Sequence, residues 1–172
     1  MKSHGGGKRT LAEEKAGIDS LLPFLNVDVK SGRCFWNQTR NNLVKQGDEA
    51  GKDCGEYSRI SFNKKAYKRH RIIFYVANGY LPLVVDHKHG VEAGDGIDNL
   101  QEATIQQNTA KQKKRKDNSS GFRGVSYRKG RWIAQIQVNG KKQHIGSFDS
   151  MEEAQNAYNQ KSKEVFGEFA GI

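Results

Sequence analysis

The stretch LVVDHKHG, residues 83–90, closes an apolar run with one acid and two imidazoles and then breaks into a glycine-rich loop. Two readings compete for it. Asp, Asn and Gly are ordinary turn residues, so the segment is explained as a polar turn and nothing more. The same Asp-His pair at the end of a strand also suits a metal-dependent site, and the residues downstream bear on the choice. Asn99 lies 12 residues beyond His87, in DNLQEAT, and Asn108 a further nine along, in QQN. Thr104 is placed to cap a short helix, with Asn108 one turn inside it. The expected frame is a strand, a glycine-rich loop, a second short strand around Ile97 to Leu100, and a helix. That frame is able to bring a carboxylate, an imidazole and an amide together.

The atoms on offer point to one reaction. Asp86 and Asn108 supply hard oxygens, which suit Mg²⁺ or Mn²⁺, one per site, rather than the zinc that His and Cys select. Such an ion stabilises charge on a phosphate and on the departing 3′ oxygen, while an imidazole takes a proton from the attacking water. An imidazole, whose ordinary pKa is about 6.5, is able to serve as that base near neutrality, and His87 is the candidate. On spacing alone the turn and the catalytic site both stay open.

Bulk properties narrow the setting. The chain has 172 residues, room for one ordinary domain or two small ones, and a net charge of +10 that favours a polyanionic partner such as nucleic acid or an anionic membrane surface. No uncharged apolar run reaches the roughly 18 residues of a membrane span. The opening MKSHGGGKRT has no apolar signal core, so the cytoplasm is the expected location. Cys34 and Cys54 have no Cys-x-x-Cys partners and read as two reduced thiols rather than a zinc ribbon.

Charge also divides the chain. Residues 109–117, TAKQKKRKD, carry five cations against one acid. A run of that kind repels itself and buries nothing, so it reads as a linker between residues 1–108 and 118–172. In the first part, residues 11–25 have a weak helical pattern that Pro23 interrupts. Strand composition appears at Arg33–Trp36, Tyr57–Phe62 and Leu83–Val85. Between the last two, Tyr67, His70, Ile73, Phe74 and Ala77 fall on a helical period that Asn78-Gly79 stops. Lys65, Lys68, Arg69 and Arg71 mark the other face, turned toward phosphates or simply solvated.

In the second part Gly121–Arg128, Arg131–Val138 and Lys141–Phe148 alternate, divided by Lys129-Gly130 and Asn139-Gly140. Asn-Gly between such runs signals a hairpin, because both central residues of a type I′ turn need positive φ. Ser150 and Glu153 form a capping box, Ala154, Ala157, Tyr158, Val165 and Phe166 make the helical stripe, and Gly167 sits where a left-handed cap is expected. Alternation turns Trp132, Ala134, Ile136 and Val138 toward the helix. It leaves Arg128, Arg131, Gln135, Gln137, Lys142 and His144 on the solvent side, where a sheet of this width fits a major groove, unless the face is polar only because it is wet.

Residues 35 to 108 resemble the HNH homing endonucleases of bacteriophages. The segments that carry the likeness are GRCFW, GDEAG, YSRISFNKKAYKRHRIIFYVANGYLP, VVDH, DNL, AT and QN. The Asp-His, Asn, Asn order is similar to the H-N-N variant of that family. The resemblance implies a ββα-metal fold, Asp86 and Asn108 as metal ligands, His87 as general base, and Asn99 as the residue that pins the loop carrying the base. Lys88-His89-Gly90 departs from the Ile-Asp-Gly or Ile-Asn-Gly usual there, and His89 reads as a turn residue; the loop acids Asp95 and Asp98 read as solvated. The stretch from Gly121 to Ala170 resembles the DNA-binding domain of plant ethylene-response (APETALA-type) factors, which also occurs fused to phage HNH nucleases. That likeness adds Arg123 as a DNA contact, although its parity puts it off the main face.

The expectation is therefore an α+β protein, a ββα-metal nuclease domain followed by a small three-stranded antiparallel sheet packed on one helix. It would be a homing-type endonuclease nicking double-stranded DNA in the cytoplasm of a phage-infected bacterium, as monomer or homodimer. The alternatives are a DNA-binding regulator with a degenerate nuclease domain, and an RNA-binding protein. The exposed sheet lacks the aromatic platform the last of these needs.

Overall fold

The computed structural model describes residues 9–54, 56–111 and 120–170, with backbone alone at 52–54, and divides into two compact units after Glu102. Most of the expected linker, residues 112–117, lies outside the described residues.

The first unit opens with α1 (Leu11–Leu21), started by a reciprocal cap. The Thr10 hydroxyl accepts the Glu13 N–H at 3.2 Å, and the Glu13 carboxylate accepts the Thr10 N–H at 2.8 Å. Pro23 falls in a single 3₁₀ turn that ends the helical segment. β1 (Leu25–Asp28) and β2 (Arg33–Trp36) pair antiparallel around a turn in which the Asp28 carboxylate accepts the N–H groups of Lys30 and Ser31, and β3 (Glu49–Ala50) completes the sheet. A second antiparallel sheet holds β4 (Lys52–Cys54), β5 (Tyr57–Phe62) and β6 (Lys65–Lys68). Then come α2 (Arg69–Asn78), β7 (Val84–His87) and β8 (Leu100–Ala103), the last two paired. The core is built from Ile18, Leu21, Ile60, Ile72 and Ile73, all essentially inaccessible to solvent. Burying side chains of this size contributes about 1.5–3 kcal/mol each.

Two expectations fail around α2, and the strand expected around Ile97 to Leu100 starts only at Leu100, after a 3₁₀ turn at Ile97–Asn99. Tyr67 belongs to β6, not to the helix. Asn63 and Lys64, at φ 48° and 60°, make a tight turn that folds residues 65–68 back onto β5, so α2 starts only at Arg69. Tyr67 still fits the apolar period because it is buried as a strand residue. The basic face is the second failure. Arg71 is buried and grips both oxygens of Glu14 at 2.8 Å, while Arg69 is held by Asp95 and Glu49, so both are tied into ion pairs within the unit. Asn78-Gly79 ends α2 as expected, with Gly79 left-handed at φ 76°. Cys34 is a free, buried thiol whose pKa burial pushes up to about 12. The Cys54 side chain falls outside the description.

The second unit contains α3 (Ile105–Lys111), β9 (Val125–Arg128), β10 (Arg131–Val138), β11 (Lys141–Phe148) and α4 (Met151–Phe166). The strands form one antiparallel sheet in the order β11-β10-β9, and α4 packs against all three. Positive φ at Lys129, Gly130, Asn139 and Gly140 fits type I′ turns at both corners. Ala134 and Ala154, neither exposed, permit the close approach of helix and sheet, and Tyr158 and Phe166 fill the core around them. Gly124 is needed for fit as well as for its φ of 68°: a Cβ there would stand 2.2 Å from the Tyr158 ring. Ser150 caps α4 through the Glu153 N–H at 3.1 Å. Gly167 has the expected positive φ, but its ψ of −125° lies outside the left-handed helical region, and a 3₁₀ turn at Gly167–Phe169 follows. Among the described residues no helix is long and apolar enough to cross a membrane.

Candidate active site

Asp86 and His87 end β7 on successive, oppositely directed positions, and both are buried. One oxygen of Asp86 accepts the side-chain amide of Gln101, on β8, at 3.0 Å. The His87 ring meets the edge of His70, on α2, with centroids 4.8 Å apart, and its Nε2 stands 2.8 Å from Asp95 Oδ1. Asp95 was expected to be solvated. It is instead 5% exposed, and its other oxygen accepts Arg69 Nε at 2.8 Å. Arg69 also pairs with Glu49, which pairs with Arg33, so charges alternate from the surface down to His87.

Burial pushes the Asp95 carboxyl up, but hydrogen bonds from His87 and Arg69 and the guanidinium charge outweigh it and hold the group below its usual range. Asp95 is thus ionised near neutrality and can only accept. The facing Nε2 of a neutral His87 therefore carries the proton, which leaves the ring's lone pair at Nδ1.

The loop between β7 and β8 is fixed from inside by Asn99. Its amide donates to the carbonyls of Gly90 at 3.0 Å and Gly94 at 2.7 Å, and its side-chain oxygen accepts the His89 N–H at 2.9 Å. His89 is an exposed turn residue. From outside, the β1–β2 turn presses on the same loop. The Ile97 N–H donates to the Val29 carbonyl at 2.9 Å, and Gly32, at φ 72°, lies so close that a Cβ would stand 2.2 Å from the Asp95 carbonyl carbon. Asp95 is positioned by that contact. A cavity of about 360 Å³ opens beside it, lined by Glu56, Ser58, Arg69, Glu92 and Asp95 among others.

Residues 67–110 match the family described as HNH endonuclease. Protein 3.8 of Escherichia phage T7 is 34% identical over 110 residues, 62% of this chain and 90% of that one. A protein of Acanthamoeba polyphaga mimivirus named as an uncharacterized HNH endonuclease is 31% identical over 114 residues, 64% of this chain and 59% of the relative. The chain belongs to the HNH endonucleases. It spans nine tenths of the phage relative and about three fifths of the viral one. No solved structure matches it.

Within this HNH endonuclease the matched segment contains the four residues that the sequence resemblance singles out: Asp86 and His87 on β7, Asn99 before β8, and Asn108 on α3. α3 belongs to the second unit; Thr104 and Gln107 cap it reciprocally, and the Asn108 N–H donates to the Thr104 carbonyl at 3.0 Å. The structure adds Asp95, His70 and Arg69, which the sequence alone does not mark as site residues. One signal was present for them: a histidine on an otherwise apolar stripe. Burial and the neighbouring imidazole pull the His70 pKa down to about 3, with Asp95 opposing, and its Nδ1 is buried with no hydrogen-bond partner among the described residues.

In the second unit the strand register puts Arg128 opposite Arg131, Gln135 opposite His144 and Gln137 opposite Lys142, so the six residues expected on one face share it. A bulge after His144 preserves that arrangement, turning Ile145 back to the core. Arg131 is paired with Asp149 at 3.0 Å in an exposed contact. Arg123 stands apart. The strand expected from Gly121 begins only at Val125, so Arg123 lies in the preceding turn, where strand parity does not apply, and bonds the Tyr158 hydroxyl.

Proposed function

We propose that this HNH endonuclease is a homing-type enzyme that hydrolyses one phosphodiester bond of duplex DNA with Mg²⁺ or Mn²⁺, nicking one strand at a site chosen mainly by its second unit. The observation that carries the reading is the buried His87–Asp95 pair at the end of β7, inside the matched segment. His87 takes the proton of the attacking water at Nδ1. Asp95, on Nε2, fixes that tautomer and offsets the charge of the imidazolium that forms. Arg69 keeps Asp95 ionised, and Asn99 holds the loop that carries both partners.

Asp86 and Asn108 would hold the ion. Their donor chemistry fits, since both present hard oxygens of the kind Mg²⁺ and Mn²⁺ prefer. The ion, when bound, neutralises charge on the phosphate and on the leaving 3′ oxygen. One such site per chain cuts one strand per event, so a double-strand break requires two copies or two events.

The second unit would read DNA with the face that carries Arg128, Arg131, Gln135, Gln137, Lys142 and His144, as its ethylene-response-type resemblance implies. Arg pairs with guanine, Gln with adenine, and Lys with phosphate. Arg123 would contact the backbone from the sheet's end. Incubating supercoiled phage or host DNA with the protein, in Mg²⁺ or in EDTA, tests the chemistry. Open circles form with the wild type in Mg²⁺ alone, and His87→Ala binds the same DNA without nicking it. Equal nicking by His87→Ala would remove the base.

A further inference from the structure

We propose that His70, His87 and Asp95 form a second metal site, selective for a borderline transition ion of the Zn²⁺, Co²⁺ or Ni²⁺ class and separate from the oxygen-ligand site assigned to Asp86 and Asn108. One ring nitrogen of each histidine and one Asp95 oxygen lie within 4.8 Å of one another, and all three side chains are more than nine-tenths buried. A second observation points to an ion independently. His70 Nδ1 is a buried polar atom with no hydrogen-bond partner among the described residues. Leaving such an atom unsatisfied costs about 1–3 kcal/mol, and native interiors rarely tolerate it without an ion or water to fill the gap.

The chemistry selects the ion. Two imidazoles and one carboxylate are a nitrogen-rich set that Zn²⁺ and its neighbours prefer and Mg²⁺ does not. With metal–ligand bonds of about 2.0–2.1 Å, tetrahedral ligands stand roughly 3.3 Å apart. The 2.8 Å pair of His87 and Asp95 opens by about half an ångström, and His70 swings in toward them. Arg69, on the other Asp95 oxygen, orients the carboxylate from outside, as outer partners of metal ligands commonly do. Three protein ligands leave a fourth position, and the cavity beside Asp95 gives water or a phosphate oxygen access to it. A consequence rests on the function proposed above: an ion on His87 claims the ring for coordination, so occupying this site stops Mg²⁺-dependent cleavage.

The test uses the full chain stripped with a chelator and titrated with Co²⁺, whose visible absorption reports nitrogen ligation in a low-symmetry site. One equivalent binds with two imidazoles in the coordination shell by X-ray absorption, and Zn²⁺ displaces it. His70→Ala and Asp95→Asn each weaken Co²⁺ at least tenfold, about 1.4 kcal/mol, whereas Asp86→Ala leaves it unchanged. The proposal is overturned if the wild type binds no Co²⁺, if X-ray absorption finds fewer than two imidazoles, or if Asp86→Ala loses the ion while His70→Ala retains it. Should His70→Ala not fold, by circular dichroism, Asp95→Asn and the wild-type spectrum carry the decision. Binding is read without DNA, so a chain that takes Co²⁺ as described yet fails to nick in Mg²⁺ sinks the proposed function and leaves the metal site standing.

Discussion

Acid should unfold the first unit early, and His70 should be the reason. Its folded pKa is about 3, because burial penalises the charged ring, against about 6.5 in an unfolded chain. As pH falls below about 6.5 the unfolded state takes up a proton that the folded state refuses, so stability is full above that value and is lost below it. The slope is about 1.4 kcal/mol per pH unit, which amounts to about 2 kcal/mol at about pH 5, a sizeable part of a domain's roughly 5–15 kcal/mol. Asp95 does not interfere in that window. Its folded pKa is lowered, so its contribution is present above the unfolded carboxylate value and lost only as pH falls further, through the folded one. The assay is denaturant unfolding in chelator at about pH 7.5 and about pH 5, followed by Trp36, a core residue of the first unit, in a Trp132→Phe background. His70→Phe, which cannot titrate, should lose about 2 kcal/mol less than its parent between the two conditions. The same loss in both chains would show that His70 is not held neutral by burial.

Other outcomes follow from the geometry of the loop and the sheet. Asn99→Ala strands two carbonyls and one N–H and should cost about 2–3 kcal/mol in the same unfolding assay; a change below about 0.5 kcal/mol would mean the loop does not depend on it. Asp95→Asn should slow Mg²⁺-dependent nicking by about a hundredfold or more while DNA affinity is kept, and an unaltered rate would detach Asp95 from the base. Arg131→Ala combined with Gln135→Ala should relax the choice of cleavage site without removing cleavage. Lys142→Ala should weaken binding to all sequences alike and reduce the salt slope by about one. Unchanged site choice and affinity in these variants would turn the reading of the sheet face against itself.

What the sequence disclosed was the chemistry that acts over a few residues. Asn139-Gly140 and Asn78-Gly79 announce their turn and cap because positive φ is a local demand, and Thr104 announces α3 because its partner is Gln107. The six polar residues of the sheet face follow from alternation, which hydrogen bonding along a strand enforces. Arg71 and Arg69 were misjudged for the opposite reason. Their carboxylates are Glu14, 57 residues away, and Asp95, 26 away, and no periodicity records a partner at that distance. Asp95 looked like any acid of a glycine-rich loop. Its burial depends on Gly32 and Gly96 letting two backbones touch, a fit between segments that neither displays alone.

His70 shows where a sequence holds more than periodicity extracts from it. A helix stripe is apolar because its face is buried, so an imidazole that keeps the period must be buried too, and a buried imidazole needs a partner or an ion. On that stripe the residue reads as core, although its position already implies an unmet polar demand. Meeting that demand requires another donor or acceptor from elsewhere in the chain, and His87, already suspected of catalysis, was the best candidate. A single out-of-character residue on α2 thus points to the end of β7, and so to the same cluster that the fold assembles around His87.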